Sequence, residues 1–241
     1  MTLEPWEAHA RWWQDQFTEG VDPEYTEQIL PLILEHLPPS GRVLDVGAGE
    51  GQVARAAAAA GLEVVCLDPA WAQVSVGRER GAVTAWTQGS AVALPFCSAS
   101  FDVVVACLVV EHIADLDAVV AEVARVLREG GTFLFLLNHP LLQTPDSGWI
   151  DDQILDPPEQ YWRIGPYLSE AETVEQVEKG VFITFFHRPL HRYINAAAEQ
   201  GMFLRRIEEP APPPGFVDRA SEYAEAATIP RLMFLRLMKM T

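Results

Sequence analysis

The junction Arg42-Val43-Leu44-Asp45-Val46-Gly47-Ala48-Gly49-Glu50-Gly51-Gln52 constrains this chain more than any other stretch. Val43, Leu44 and Val46 form a short, β-branched apolar run, the pattern of a strand buried on both faces. Gly47, Gly49 and Gly51 follow, and the pattern then becomes an Ala-rich helix from Gln52 to Ala60. Glycines between a strand and a helix let the backbone turn sharply and approach a ligand closely, and the helix start offers free N–H groups. A tight turn without a ligand is the plainer reading of the glycines alone. The spacing G-x-G-x-G is not the G-x-G-x-x-G of a dinucleotide site, because Gln52 stands where its third glycine belongs, and no Gly-Lys-Ser/Thr ending marks a P-loop. The next apolar run, Val64-Val65-Cys66-Leu67, ends in Asp68, 68 − 49 = 19 residues past Gly49. An acidic residue there can accept ribose hydroxyls, so the expected ligand is a nucleoside rather than a pyrophosphate.

Several further segments occur in a set order: Leu94-Pro95-Phe96, then Phe101-Asp102-Val103-Val104-Val105-Ala106-Cys107-Leu108-Val109-Val110-Glu111-His112-Ile113, and on through an apolar helix to Gly130-Gly131 and Thr132–Leu137. Together with VLDVGAGEG and the Asp68 strand end, they resemble the class I S-adenosylmethionine-dependent methyltransferases, most closely the small-molecule subgroup related to the ubiquinone-biosynthesis enzymes. The resemblance spans roughly residues 42–137. It implies a Rossmann-like, doubly wound, seven-stranded and mostly parallel sheet with helices on both faces, an antiparallel last strand and a cap insertion after strand five. It also implies S-adenosylmethionine as cofactor, held by Asp45, Gly47, Ala48, Gly49, Asp68, Pro69, Ser90, Ala91, Cys107 and Leu108. In the family the residue at position 90 is usually an aspartate that accepts from the adenine amino group. Ser90 replaces it here with a neutral, weaker acceptor.

At 241 residues with 49% apolar and 21% charged side chains, the chain can bury one full α/β core, and a single domain over 1–241 is expected. No run nears 18 apolar residues and no basic-then-apolar leader opens the chain. The three cysteines give neither a disulfide framework nor zinc spacing. These readings place the chain in the cytoplasm, without membrane or metal. The formal charge of −17, with no basic cluster beyond Arg205-Arg206, speaks against a nucleic-acid partner, which needs cations to neutralise phosphates. Oligomeric state is left open.

Residues 3–37 read as helical in two parts divided by Asp22-Pro23. The first part carries Trp6, Trp12, Trp13 and Phe17, which are either a packing stripe or, as in related enzymes, part of a lid over 1–40. Trp13 and Tyr25 are the lid candidates. Strands are expected over Ala82–Thr87, Phe101–Leu108, Thr132–Leu137, Val181–His187, Phe203–Ile207 and Leu232–Met238, with helices over Ala70–Arg80, from an Asp115 cap, and over Pro189–Gln200. Residues 138–180 are too long and aromatic for an ordinary connection. They read as a cap whose Trp149, Tyr161, Trp162 and Tyr167 line a substrate pocket.

Gly47, Asp68, Ser90, Cys107 and His112 all fall at carboxyl ends of expected strands, where open α/β sheets bind ligands. His112 stands where a general base would take a proton from an acceptor, with His139 as runner-up; anchoring a helix start or touching the cofactor is the alternative for His112. The expected activity is methyl transfer to a small molecule at an O, N or C atom. A protein side-chain methyltransferase and a non-catalytic cofactor-binding module are the alternatives.

Overall fold

A computed structural model of the chain describes residues 4–18, 20–83, 85–218 and 226–240. Seven strands form the central sheet: β1 (Arg42–Val46), β2 (Glu63–Asp68), β3 (Ala85–Gln88), β4 (Phe101–Cys107), β5 (Leu127–Asn138), and two later strands, Met202–Glu208 and Leu232–Lys239. Between β5 and these lie two hairpins, β6 (Gly148–Asp152) with β7 (Glu159–Arg163) and β8 (Ala171–Glu178) with β9 (Val181–His187). The last two sheet strands are therefore β10 and β11. The order across the sheet is β10-β11-β5-β4-β1-β2-β3, with β11 antiparallel to both neighbours and β1 to β5 parallel. This is the architecture expected from the sequence.

The strand pattern of period two divides the core in two. Leu44, Val46, Val104, Ala106, Phe133 and Phe135 face one way. There they meet α5 (Leu116–Val126) and α6 (Leu190–Glu199) through Val119, Val120, Val123, Tyr193 and Ala196. Val43, Cys66, Val103, Val105, Leu134 and Leu136 face the other way. They pack on α2 (Leu30–His36), α3 (Gln52–Ala59) and α4 (Trp71–Arg80) through Leu32, Ile33, Ala54, Ala57 and Val74. Strands covered on both sides need continuous apolar runs, which is why β1, β2 and β4 were readable. Asp115 accepts from the Ala118 N–H at 3.0 Å and so caps α5.

Boundaries moved where local signals competed. Ala82 has φ +64 and turns the chain, so β3 begins at Ala85. Gly130 and Gly131 lie inside β5, which follows α5 directly at Leu127. The amino-terminal helical stretch is α1 (Glu4–Phe17), then a π-helical turn at Tyr25–Ile29 running into α2. Val181–His187 is a strand, but it pairs with β8 rather than with the main sheet. Among the described residues, no helix is long and apolar enough to cross a membrane.

Candidate active site

The direction of the sheet order reverses between β1 and β4, and a crevice opens there at the strands' carboxyl ends, as such topology requires. Its empty volume, open mouth included, is about 860 Å³. Gly47, Ala48, Gly49, Leu67, Asp68, Pro69, Ala91, Cys107 and Leu108 form its floor and one wall, and Trp6, Trp13, Tyr25, His112 and Ile113 enclose the rest.

The glycine turn is built by close approach. Gly47 has φ +69, and a Cβ on it would lie 2.4 Å from a methyl carbon of Val109, so the loop after β4 packs on bare backbone. Gly47 and Ala48 donate to the Leu67 carbonyl at 2.7 and 3.0 Å. Gly49 donates to Asp68 Oδ2 at 2.8 Å, and Ala70 donates to its Oδ1 at 2.8 Å. Asp68 thereby ties the end of β2 to the turn after β1. Burial nonetheless outweighs these two donors and pushes its carboxyl up to about 7. Asp45, 2% exposed, is likewise pushed up to about 7, first by burial and then by the Asp68 charge. One of its oxygens accepts from the Ala54 backbone, whereas Oδ2 is buried without a protein partner. A buried acceptor facing a crevice is a place for a ligand donor. Glu50, also on the wall, is neutralised from behind by Arg55 and Arg80 at 2.6 Å each.

His112 ends the short 3-10 turn Val110–His112 after β4. Its Nδ1 lies 2.9 Å from the Thr184 carbonyl on β9. A carbonyl only accepts, so Nδ1 carries the proton and Nε2 keeps its lone pair. Burial lowers the imidazole to about 4, and the ring is neutral near pH 7. Trp6 meets it edge-on at 4.9 Å and Phe185 tilts against it at 4.6 Å.

Helix α1 roofs the crevice. Gln14 donates to Gln73 of α4 at 2.8 Å, Gln52 donates to the Phe17 carbonyl at 2.9 Å, and Trp12 Nε1 donates to the Glu178 carboxylate at the end of β8. Trp6 and Trp12 pack on Val181, Ile183 and Phe185 of β9. The Trp13 indole nitrogen sits 3.8 Å from where a Cβ on Gly49 would be.

The structure brings Asp45, Gly47, Ala48, Gly49, Asp68, Pro69, Ala91, Cys107, Leu108, Trp13, Tyr25 and His112 to one cavity. It leaves the other sequence candidates off that wall, each for a local reason. Ser90 accepts from the Val92 N–H at 3.4 Å within its own turn. His139 is buried and paired with Glu209 at 2.8 Å, beside the far strand β10. Trp149 and Trp162 face each other across the β6–β7 hairpin at 5.7 Å, and Tyr161 is exposed beside them. Tyr167 pins β9 to α6, accepting from the Leu190 N–H at 2.9 Å through its hydroxyl and from His187 at 2.8 Å through its carbonyl. Cys66 and Cys107 are buried thiols whose burial raises them.

Sequence reasoning missed Gln73, Val109 and Ile113 on the wall, and Thr184 and Phe185 behind His112. Gln73 did carry a signal, a glutamine on the buried side of a helix that starts beside Asp68. Thr184 acts through its backbone, and no residue type marks that.

The crevice suits S-adenosylmethionine. Asp45 Oδ2 offers an unpartnered acceptor, Asp68 a carboxylate, and Leu67, Pro69, Ala91 and Ile113 an apolar slot for a purine. Among the described residues no Lys or Arg lines it, which disfavours a pyrophosphate.

Comparison with known proteins agrees. The family described as a methyltransferase domain matches residues 44–135. The chain is 33% identical over 148 residues to an uncharacterized methyltransferase, YcgJ, of Bacillus subtilis, covering 58% of this chain and 56% of that protein. It is 37% identical over 103 residues to a demethylmenaquinone methyltransferase of Renibacterium salmoninarum, covering 42% of this chain and 44% of that one. The chain thus spans about half the length of these relatives. A crystal structure of an S-adenosylmethionine-dependent methyltransferase from Mesorhizobium loti superposes with TM-score 0.74 at 25% identity, covering 86% of this chain and 96% of that one.

Proposed function

We propose that this chain is a class I S-adenosylmethionine-dependent methyltransferase, the reading its relatives support, and that it methylates a small molecule in the cytoplasm. The observation that carries this reading is a single crevice joining the Gly47–Gly49 turn and Asp68 to His112 beneath a roof of tryptophans.

Bound there, S-adenosylmethionine supplies a methyl group on a positively charged sulfur, already activated for displacement. Asp45 Oδ2 and the Asp68 carboxylate hold the cofactor's donors, and Gly47 and Gly49 let it approach the backbone. Trp6, Trp13 and Tyr25 hold the acceptor in line and exclude water, which supplies much of the acceleration in a transfer of this kind. His112 Nε2 accepts a hydrogen bond from an O–H or N–H acceptor and orients it as it gives up its proton, which the buried ring does not retain near pH 7. The tryptophan roof favours a small acceptor over a protein side chain, which needs an open cleft. The sequence pI near 4.6 disfavours a nucleic acid.

Calorimetry with S-adenosylmethionine, S-adenosylhomocysteine and NAD tests the cofactor assignment. The first two are expected to bind and NAD is not; preference for NAD would overturn the reading. Asp68→Asn should weaken cofactor binding by roughly tenfold or more, the loss of a charge-assisted hydrogen bond. Incorporation of labelled methyl into small-molecule fractions tests turnover. Binding without any transfer would leave the non-catalytic module instead.

A further inference from the structure

We propose that the acceptor side of this crevice selects a flat, neutral or cationic molecule that presents an O–H or N–H to His112, and rejects anions. The inference names the substrate class of the methyltransfer site and rests on that reading.

Charge is the first ground. The wall carries the buried carboxyls of Asp45 and Asp68, Glu50 being neutralised from behind, and among the described residues no Lys or Arg lines it. The two nearby guanidiniums, Arg55 and Arg80, are both engaged with Glu50 at 2.6 Å. An anionic acceptor would shed its water and find no cation to repay the cost. The whole chain, at −17, adds a repulsive field at the mouth.

The polarity of His112 is the second ground. The Thr184 carbonyl accepts from the Nδ1–H, so the hairpin β8–β9 fixes the tautomer and leaves only a lone pair at Nε2. A ring held neutral by burial offers a carboxylate no donor there, whereas an O–H or N–H finds an acceptor. The surrounding rings are the third ground. Trp6 meets the imidazole at 4.9 Å and Trp13 lies 5.9 Å from Trp6, both on the cavity wall, while Phe185 backs the imidazole from behind. Aromatic faces take flat rings by stacking and cations by their quadrupole, and repel negative charge. All three grounds point the same way, although they come from separate elements: β1 and β2, the turn after β4, and α1 with β9.

A matched probe set tests this on the full-length protein. S-adenosylhomocysteine is titrated first by calorimetry. The saturated complex is then titrated with 2-naphthol, 2-naphthylmethylamine, 2-methoxynaphthalene and 2-naphthoate, which share a ring and differ in charge and donor. The naphthol or the amine should bind at least about tenfold tighter than the naphthoate. The naphthol should also exceed its methyl ether, and His112→Phe should abolish that difference while the naphthoate stays excluded. If His112→Phe does not fold, the wild-type series decides by itself. Naphthoate binding as tightly as the naphthol or the amine, or no probe binding at all to the saturated protein, overturns the proposal while leaving methyl transfer intact. Failure of S-adenosylhomocysteine to bind overturns both.

Discussion

Asp45 contributes to folding and to ligand binding with opposite signs. Its carboxyl ionises near 3.8 in an unfolded chain and at about 7 in the fold, because burial disfavours the charge. Between those values the native state holds a proton that the unfolded state has lost, so the slope of stability with pH is negative. The contribution is fully present below about pH 4 and is lost as pH rises through about 7. Asp45→Asn cannot ionise. Without ligand, its melting temperature relative to wild type should therefore rise from pH 4.5 to pH 8 by several degrees, each kcal/mol being worth ~2–4 °C in a domain of this size. The same variant should bind S-adenosylmethionine roughly tenfold or more weakly, since a cationic donor prefers the carboxylate. Calorimetric melts and titrations measure both; loss of stability at pH 8 would show that Asp45 is a structural acceptor. Ser90 is the contrasting case. It lies off the cavity wall and accepts from the Val92 N–H within its own turn, so Ser90→Ala should shift cofactor affinity by less than about threefold, under ~1 kcal/mol.

At the scale of elements, α1 brings Trp6 and Trp13 to the crevice, and the hairpin β8–β9 backs α1. Trp12 donates to Glu178, and Trp6 and Trp12 cover Val181, Ile183 and Phe185. Elements that open are drawn from the weakly held part of a fold. Glu178→Ala should therefore speed proteolysis within α1 several-fold in the free protein, with cofactor product plus acceptor restoring protection. Equal cleavage with and without ligands would mean that α1 is fixed structure. Sequence could reach only part of this arrangement. The strands β1, β2, β4 and the helix α5 were legible because burial on both faces, or on one helical stripe, dictates residue type at every position. The segment after β5 was legible as aromatic and overlong, but not as two hairpins. The rings of Trp149 and Trp162 meet edge to face across β6–β7, and composition alone does not separate rings that face each other from rings that face a ligand. The site divides in the same way. Gly47, Asp68 and His112 are set by strand ends in sequence, whereas the Thr184 carbonyl that orients His112 comes from β9, paired within the β8–β9 hairpin.

For the whole molecule the governing quantity is net charge. Thirty-four acidic residues against seventeen basic ones leave −17 on a 26.7 kDa chain, and several of the acids near the crevice are buried rather than paired. Glu111 is 1% exposed and pushed up to about 7 by burial, with one oxygen taking both the backbone and side-chain N–H of Asn138 at 3.1 Å and the other unpartnered. Such a charge distribution repels itself most when compact, so the native state loses more from it than the expanded chain does. Salt should relieve that cost over separations comparable with the Debye length. The melting temperature is accordingly expected to rise between about 0.02 M and about 0.3 M sodium chloride, where screening shortens from roughly 20 Å to roughly 6 Å. The cofactor should respond in the opposite sense. A ligand with a sulfonium and an ammonium is drawn towards a negative cleft, so its association rate should fall over the same range while its dissociation rate changes little. Stopped-flow measurement of tryptophan quenching at Trp6 and Trp13 can follow both rates. A melting temperature that falls with salt would place the controlling interactions in surface ion pairs such as Arg192 with Asp117 at 2.6 Å. An association rate indifferent to salt would mean that the crevice's own carboxylates, close to the bound cation, do all the electrostatic selection.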